Sequence, residues 1–378
     1  MPRVLALLMR LGVPLIVVAA CAGAASPVPS PSIAGTSTAE PSVSAAPTGT
    51  PAVTAAPTES PGGLPKAGTW TQLAVEGDVP AAREAHSWTV DPATGMAYLF
   101  GGRDGATVFG DLWRFDPRSE SWASSAPVRD GPAPRFGHNA VWLPGRGLVV
   151  FAGQSADRFF NDLWLFDPGS GAWSALPSGG DAPIPRYGSC AVLMSDGRLW
   201  ISHGFTEDGV RFADTRAYDF AAGMWLDQTP SVGDLPVARC LHACFETDDA
   251  RFALFGGQTT GTLALGDLWT LEAFTEADRW AQATGGTLPT PRNLYAFVRL
   301  PSAFVVFGGG SLEGGYLDDT WAFSTFDLEA AAISASGGPP PGRSGASLVE
   351  DADGGRLLLF GGRDGEGAFD DVWALTLS

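Results

Sequence analysis

Six arginines and six aspartates recur through this 378-residue chain at positions where charge could do chemistry. Each arginine stands three residues after a proline, at Pro80/Arg83, Pro132/Arg135, Pro183/Arg186, Pro236/Arg239, Pro289/Arg292 and Pro340/Arg343, with successive arginines 51 to 53 residues apart. The aspartates are Asp111, Asp162, Asp214, Asp267, Asp319 and Asp371, each followed two residues later by Trp except in the third copy, which has Arg216. A ring of guanidinium groups would recognise a carboxylate or phosphate through paired hydrogen bonds. Regularity favours a different use. A ligand is asymmetric and seldom needs six equivalent contacts, whereas a structural demand arises in every copy alike. An Arg to Asp or Arg to backbone contact repeated between units would account for both sets.

The remaining candidates are fewer. His86, His138 and His242 follow a repeat arginine by three residues, where the other copies carry Ser189, Tyr295 and Ala346; His203 stands elsewhere. No His-x-His or His-x-x-x-His pair supplies local ligand spacing, so no metal and no cofactor is expected. Cys240 and Cys244 are four residues apart, about 13 Å along an extended strand and beyond disulfide reach. Cys190 and Cys244 fall near matching places in adjacent units. Either they form a disulfide, leaving one thiol over, or the cysteines are buried and unreactive. No Gly-x-Ser-x-Gly elbow and no phosphate-binding glycine loop followed by Lys is present, so no catalytic residue is assigned.

The elements that position these residues are short strands. From Tyr98 to Trp122 an apolar run ends on Gly101-Gly102, a polar loop follows, Asp111-Leu112-Trp113 opens a second run, and a turn precedes Trp122. Runs of Val, Leu, Phe and Trp bounded by Gly, Pro and Asp suit a half-buried pleat rather than a helix. The pair closing the run recurs as Ala152-Gly153, His203-Gly204, Gly256-Gly257, Gly308-Gly309 and Gly361-Gly362.

A double glycine after a hydrophobic strand, with tryptophan some twenty residues later and six copies at a period near fifty, resembles the kelch repeat; the likeness covers residues 68 to 378. It implies an all-β fold, a six-bladed kelch β-propeller with one four-stranded blade per repeat. Only five residues follow Trp373, so the sixth repeat lacks a last strand. Gly68 to Leu73, with Trp70 52 residues before Trp122, is expected to supply it and close the ring by pairing with the last blade. In such propellers the arginine loop and the loop after the double glycine share a rim. The family includes copper oxidases of the galactose oxidase type, whose centre needs two histidines and two tyrosines. Three histidines here are repeat positions, so that chemistry is not expected. It also includes exported enzymes that isomerise acidic sugars.

Departures from the repeat mark where a ligand is expected, since those copies are released from the shared demand. Repeat three has His203-Gly204, the loop Phe205 to Ala213, and Arg216 in place of the tryptophan that follows the repeat aspartate. Repeat five has Tyr295 for histidine, a glycine-rich loop from Gly308 to Gly315, and Leu328 to Ile333 where a tryptophan would stand. The binding candidates are therefore Tyr295, Arg292, Tyr316, Glu207 and Arg211.

The N-terminus differs in kind. Residues 1–20 carry Arg3, Arg10 and an apolar stretch, and read as an export signal. Val18-Ala19-Ala20-Cys21 resembles the lipobox of bacterial lipoproteins, which implies a lipid anchor at Cys21; the alternative is secretion after cleavage near Ala25. Residues 21–66 are Pro, Ala, Ser and Thr, a composition that cannot bury a core and reads as a spacer reaching roughly 140 Å at about 3.1 Å per residue. Residues 67–378 form the propeller.

A net charge of -18 with one lysine, Lys66, argues against nucleic acid, whose binding needs basic clusters. The expected protein is a monomeric, membrane-tethered, extracytoplasmic module that binds a protein or glycan. Its rival is a sugar-modifying enzyme.

Overall fold

The computed structural model describes residues 63–378 apart from 126–129 and 273–278. The export signal and Cys21 lie outside the described residues. Each repeat forms an antiparallel meander. In repeat one the order is Ser87–Val90, Ala97–Phe100, Leu112–Asp116 and Ser121–Ser124, and repeats two, three and four follow the same plan from innermost strands Asn139–Leu143, Cys190–Leu193 and Ala243–Glu246. These four repeats make separate sheets. Repeats five and six share one nine-stranded sheet, because Ala67–Gln72 lies between them. It pairs antiparallel with Val372–Leu377, Trp70 opposite Leu375, and parallel with Ala330–Ser336, Ala67 opposite Ser334. The arrangement is propeller-like, and the innermost strands of neighbouring repeats pack on one another.

The core lies between sheets rather than inside any one of them. Trp88, Leu99, Phe115 and Trp122 of repeat one pack with Leu358, Phe360 and Val372 of repeat six. Trp70 joins Val305, Phe307 and Ile333 of repeat five to Leu357, Leu359 and Leu375 of repeat six. Burying one such side chain contributes about 1.5–3 kcal/mol, so no sheet is stable without its neighbours. In repeat five Ala330, opposite Phe323, stands at the register position that Trp122 holds opposite Phe115 in repeat one.

Backbone geometry explains which half of the glycine pair varies. The second position is always glycine, with φ between 89° and 105°. A Cβ on Gly102 would meet His86 Cβ at 2.8 Å and the Glu84 carbonyl at 2.9 Å. The first position lies in the ordinary left-handed region, and Ala152 (φ 63°) and His203 (φ 58°) occupy it at a modest conformational cost.

Candidate functional site

The six repeat arginines, Arg83, Arg135, Arg186, Arg239, Arg292 and Arg343, have no surface to offer a ligand. Each is at most 1% exposed. Nη1 and Nη2 donate to both oxygens of the same repeat's aspartate, in the pairs Arg83–Asp111, Arg135–Asp162, Arg186–Asp214, Arg239–Asp267, Arg292–Asp319 and Arg343–Asp371, at 2.5–3.0 Å. Nη1 also donates to the carbonyl of the first residue of the glycine pair, and Nε to a carbonyl two residues upstream, as Arg83 does to Gly101 and Ala81.

None of the six guanidinium groups is open to a carboxylate or phosphate. Arg135 donates to Asp162, Ala152 and Ala133 and stacks over Phe160. Arg186 donates to Asp214, His203 and Ile184 and stacks over Phe212. Arg239 donates to Asp267, Gly256 and Val237, and Arg343 to Asp371, Gly361 and Pro341. Arg292, expected beside a ligand, is used in the same way by Asp319, Gly308 and Thr290. The physical reason is that four of the five N–H groups of each guanidinium are filled from within the repeat.

The tryptophan two residues after each aspartate donates its indole N–H to that carboxylate at 2.7–2.8 Å, and Arg216 donates there at 3.3 Å in repeat three. The departure in that copy therefore keeps the donor and changes only its chemistry. Burial alone would raise the pKa of Asp111, Asp162, Asp214, Asp267 and Asp319. The hydrogen bonds and charge of the paired arginine outweigh burial and hold these carboxyls below the usual range.

Two residues beyond each arginine the backbone turns left-handed, at Ala85, Gly137, Gly188, Leu241, Leu294 and Gly345. Their N–H groups donate in sequence to one another: Gly137 to Ala85, Gly188 to Gly137, Leu241 to Gly188, Leu294 to Leu241, Gly345 to Leu294 and Ala85 to Gly345, at 2.7–3.1 Å. The series returns to its starting residue. It forms a diaphragm across the axis, with the arginine loops on one side. On the other is a cavity of about 190 Å³, lined by these residues and the strands that follow them.

No Asp, Glu, Lys or Arg lines the cavity; its polar groups include His86, Ser87, His138, Asn139, Ser189, His242, Tyr295 and Ser347. This cavity is therefore not lined by the arginines that would suit an acidic sugar. Most of the polar groups bond between repeats. His138 Nε2 lies 2.8 Å from Ser87 Oγ, and Asn139 donates to Ser189 Oγ at 2.7 Å. Tyr295 Oη donates to the Phe255 carbonyl at 2.6 Å and accepts from Ala243 N at 3.0 Å. Tyr295 thus reaches back to repeat four and does not join the loop residues. Between repeats three and four the link is covalent: Cys190 and Cys244 form a disulfide, with Cα atoms 5.6 Å apart. Cys240 is free and buried, and burial pushes its thiol up to about 11. Burial likewise keeps all four histidines neutral, assisted by a repeat arginine beside each, with His138 and His203 lowered to about 3.

The loop face carries the other candidates. Glu207 and Arg211 lie in the repeat-three loop and Tyr316 at the start of Tyr316–Ser324 in repeat five; Glu207 and Tyr316 are exposed, and Arg211 is half-buried beside the ring of Phe205. Sequence reading missed their neighbours. Ile184, Val210, Val237, Leu263 and Leu312 are exposed in loops of the same face, all in repeats three to five, Ile184, Val210 and Leu263 by more than half. The available signal was single aliphatic residues set beside Pro, Gly or acidic residues in loops whose other members are polar.

Antiparallel meanders stacked side by side about an axis, each built round a buried arginine–aspartate pair, define a propeller-class repeat protein. The family profile for the KLHDC2/KLHL20/DRC7 Kelch-repeats domain matches residues 65–257 and 226–378, and the chain belongs to this Kelch-repeat family. It is similar to Adagio-like protein 3 of Oryza sativa subsp. japonica, 29% identical over 63% of this chain and 40% of that protein. It is 30% identical to Tip elongation aberrant protein 1 of Schizosaccharomyces pombe over 82% of this chain and 28% of that protein. The chain therefore spans half or less of the length of these relatives. The solved structure of YjhT superposes with a TM-score of 0.62, covering 79% of this chain and 98% of that one at 16% identity, which is a likeness of fold.

Proposed function

We propose that this chain is an exported, lipid-anchored, six-bladed kelch propeller whose loop face binds another protein. The observation that carries the binding function is the distribution of exposed aliphatic side chains. Among the described residues most of them gather in the loops of repeats three to five, apart from Val79 in repeat one and Met224 on the strand Met224–Asp227, while the arginines beneath are consumed in internal pairs. Apolar side chains held out on rigid loops above a shared scaffold mark an interaction surface. Protein is favoured over glycan because the tips are aliphatic and, apart from Tyr316, lack aromatic faces on which sugar rings would stack.

Six blades are supported by the diaphragm of six hydrogen bonds and by the pairing of Ala67–Gln72 with Val372–Leu377, which removes two free sheet edges. Export is supported by the Cys190–Cys244 disulfide, a bond that persists in oxidising compartments. Anchoring rests on the lipobox-like run ending at Cys21.

Two experiments test this reading. Cys21→Ala in a bacterial host should move the protein from the membrane fraction to the soluble periplasmic or culture fraction; unchanged membrane partition would remove the anchor. Surface crosslinking of cells carrying the wild type or Ile184→Ser/Val237→Ser/Leu312→Ser should show adducts that the triple variant loses. An unaltered adduct pattern would move the binding function off this face.

A further inference from the structure

The loop face carries a second pattern that bears on what kind of protein it meets. In repeats three to five the exposed aliphatic residues alternate along the chain with exposed carboxylates: Asp181 beside Ile184, Glu207 and Asp208 beside Val210, Asp234 beside Val237, and Glu313 beside Leu312. Asp318 adds a further exposed carboxylate close to Tyr316. Among the described loop residues on this face of these repeats, Arg211 is the one basic side chain not consumed in the arginine–aspartate pairs. The loops of repeats six, one and two are built otherwise. There Arg103, Arg158 and Arg363 stand among the acids, and Arg103 and Arg363 both bond Glu84 Oε1, at 3.0 and 3.4 Å.

Charge selects among the occupants that an apolar surface could take. A second copy of this chain would set the same carboxylates against each other, at a net charge of -18 per chain, and like charges across an interface oppose association. An anionic lipid surface is repelled for the same reason. A partner that places aliphatic side chains on Ile184, Val210, Val237 and Leu263, and lysine or arginine at their flanks, satisfies both the apolar tips and the acidic surround.

We propose that the partner recognised by this half of the loop face is a basic amphipathic protein segment. The proposal rests on the loop-face reading above and adds the partner's chemistry to it. The acidic surround speeds and orients encounter with such a segment, and the aliphatic tips hold it once docked.

The test uses the full chain held in phosphatidylcholine nanodiscs, with empty nanodiscs subtracted. The probe is a fluorescein-labelled amphipathic helical peptide of about 18 residues made of Leu and Lys. Two control peptides carry Glu in place of every Lys, or the same composition scrambled so that no apolar face forms. Fluorescence anisotropy should show the Leu/Lys peptide binding at least about tenfold more tightly than either control. Glu207→Lys/Asp234→Lys should weaken it about tenfold, and Val237→Ser/Leu263→Ser about fivefold. Glu76→Lys/Asp104→Lys makes the same change in net charge on the opposite half and should alter affinity less than about twofold.

If Val237→Ser/Leu263→Ser weakens binding but the Glu peptide binds as well as the Lys peptide, the partner chemistry is overturned while the loop-face reading stands. Equal loss in the two charge-reversal variants, or equal binding of the scrambled peptide, makes the attraction one of bulk charge and overturns both. Recruitment of phosphatidylglycerol vesicles through the same loops would make the target a lipid surface and also overturn the proposal.

Discussion

The loops of repeats three to five and those of repeats six, one and two stand on the same scaffold and present different chemistry. Beneath both halves an arginine grips an aspartate, a left-handed residue donates to its neighbour, and a glycine closes against the next repeat. Above, one half exposes Ile184, Val210, Val237, Leu263 and Leu312 among acids, and the other sets arginines among its acids. The contrast separates two kinds of pressure. What folding requires is required six times, so it recurs; what a partner requires is required once, so it breaks the symmetry. The arginines are the most chemically capable residues in the chain, and their being spent identically in both halves, Arg135 on Asp162 as Arg186 on Asp214, is why they carry no recognition.

The comparison can be broken at several levels. The largest effect is expected from removing Ala67–Gln72, which strips Trp70 from the core and exposes both Val372–Leu377 and Ala330–Ser336 as open edges. Urea unfolding followed by tryptophan fluorescence should lose its single cooperative transition. A retained transition at the wild-type midpoint would show that the two halves are held without this strand.

Next come the arginines themselves. Arg83→Ala and Arg239→Ala, one in each half, should each cost about 3 kcal/mol, because a carboxylate and two carbonyls lose their donor at a buried site. Equal losses in chemical denaturation sharpen the comparison. A loss confined to one half would show that the scaffold is not shared.

Acid should act on both halves through the histidines. Their folded pKa values lie below the unfolded value near 6.5, so the unfolded chain binds more protons once pH drops beneath that value. Their stabilising effect is complete above about pH 6.5 and is lost progressively as pH falls toward 3. Each histidine should contribute a slope of about 1.4 kcal/mol per pH unit in that window. The paired aspartates extend the loss below about pH 3.8. His138→Gln should flatten the profile between pH 6 and 4 in thermal melts; an unchanged slope would mean that His138 is charged in the folded state.

The smallest effect on stability should come from the tips. Ile184→Ser and Leu263→Ser are expected to shift unfolding free energy by less than about 0.5 kcal/mol, because each side chain is already in water. A loss near that of the arginine variants would mean that these residues pack in the folded protein and would remove the basis for a binding face.

Much of this was legible in the residue order, and the physical reasons are specific. The arginine, the second glycine of each pair and the aspartate recur because each answers a demand made within every repeat, and a demand repeated at fixed spacing writes itself into the sequence. The second glycine is required by φ near 90° and a backbone within about 3 Å, which no side chain satisfies. The alternation of short apolar runs and turns likewise determined an all-β repeat fold. The diaphragm was invisible because Ala, Gly and Leu all fill it; what they share is a backbone angle and a neighbour some fifty residues away. Only the tertiary structure could decide between the disulfide and buried thiols, since that depended on two innermost strands lying side by side. Tyr295 and Arg292 stood close in the chain to the departures of repeat five, yet the fold turned one back onto repeat four and sealed the other beneath Asp319. The aliphatic tips carried no repeat signal at all, because an exposed side chain answers to a surface assembled from three repeats, and that surface exists only once the sheets have packed.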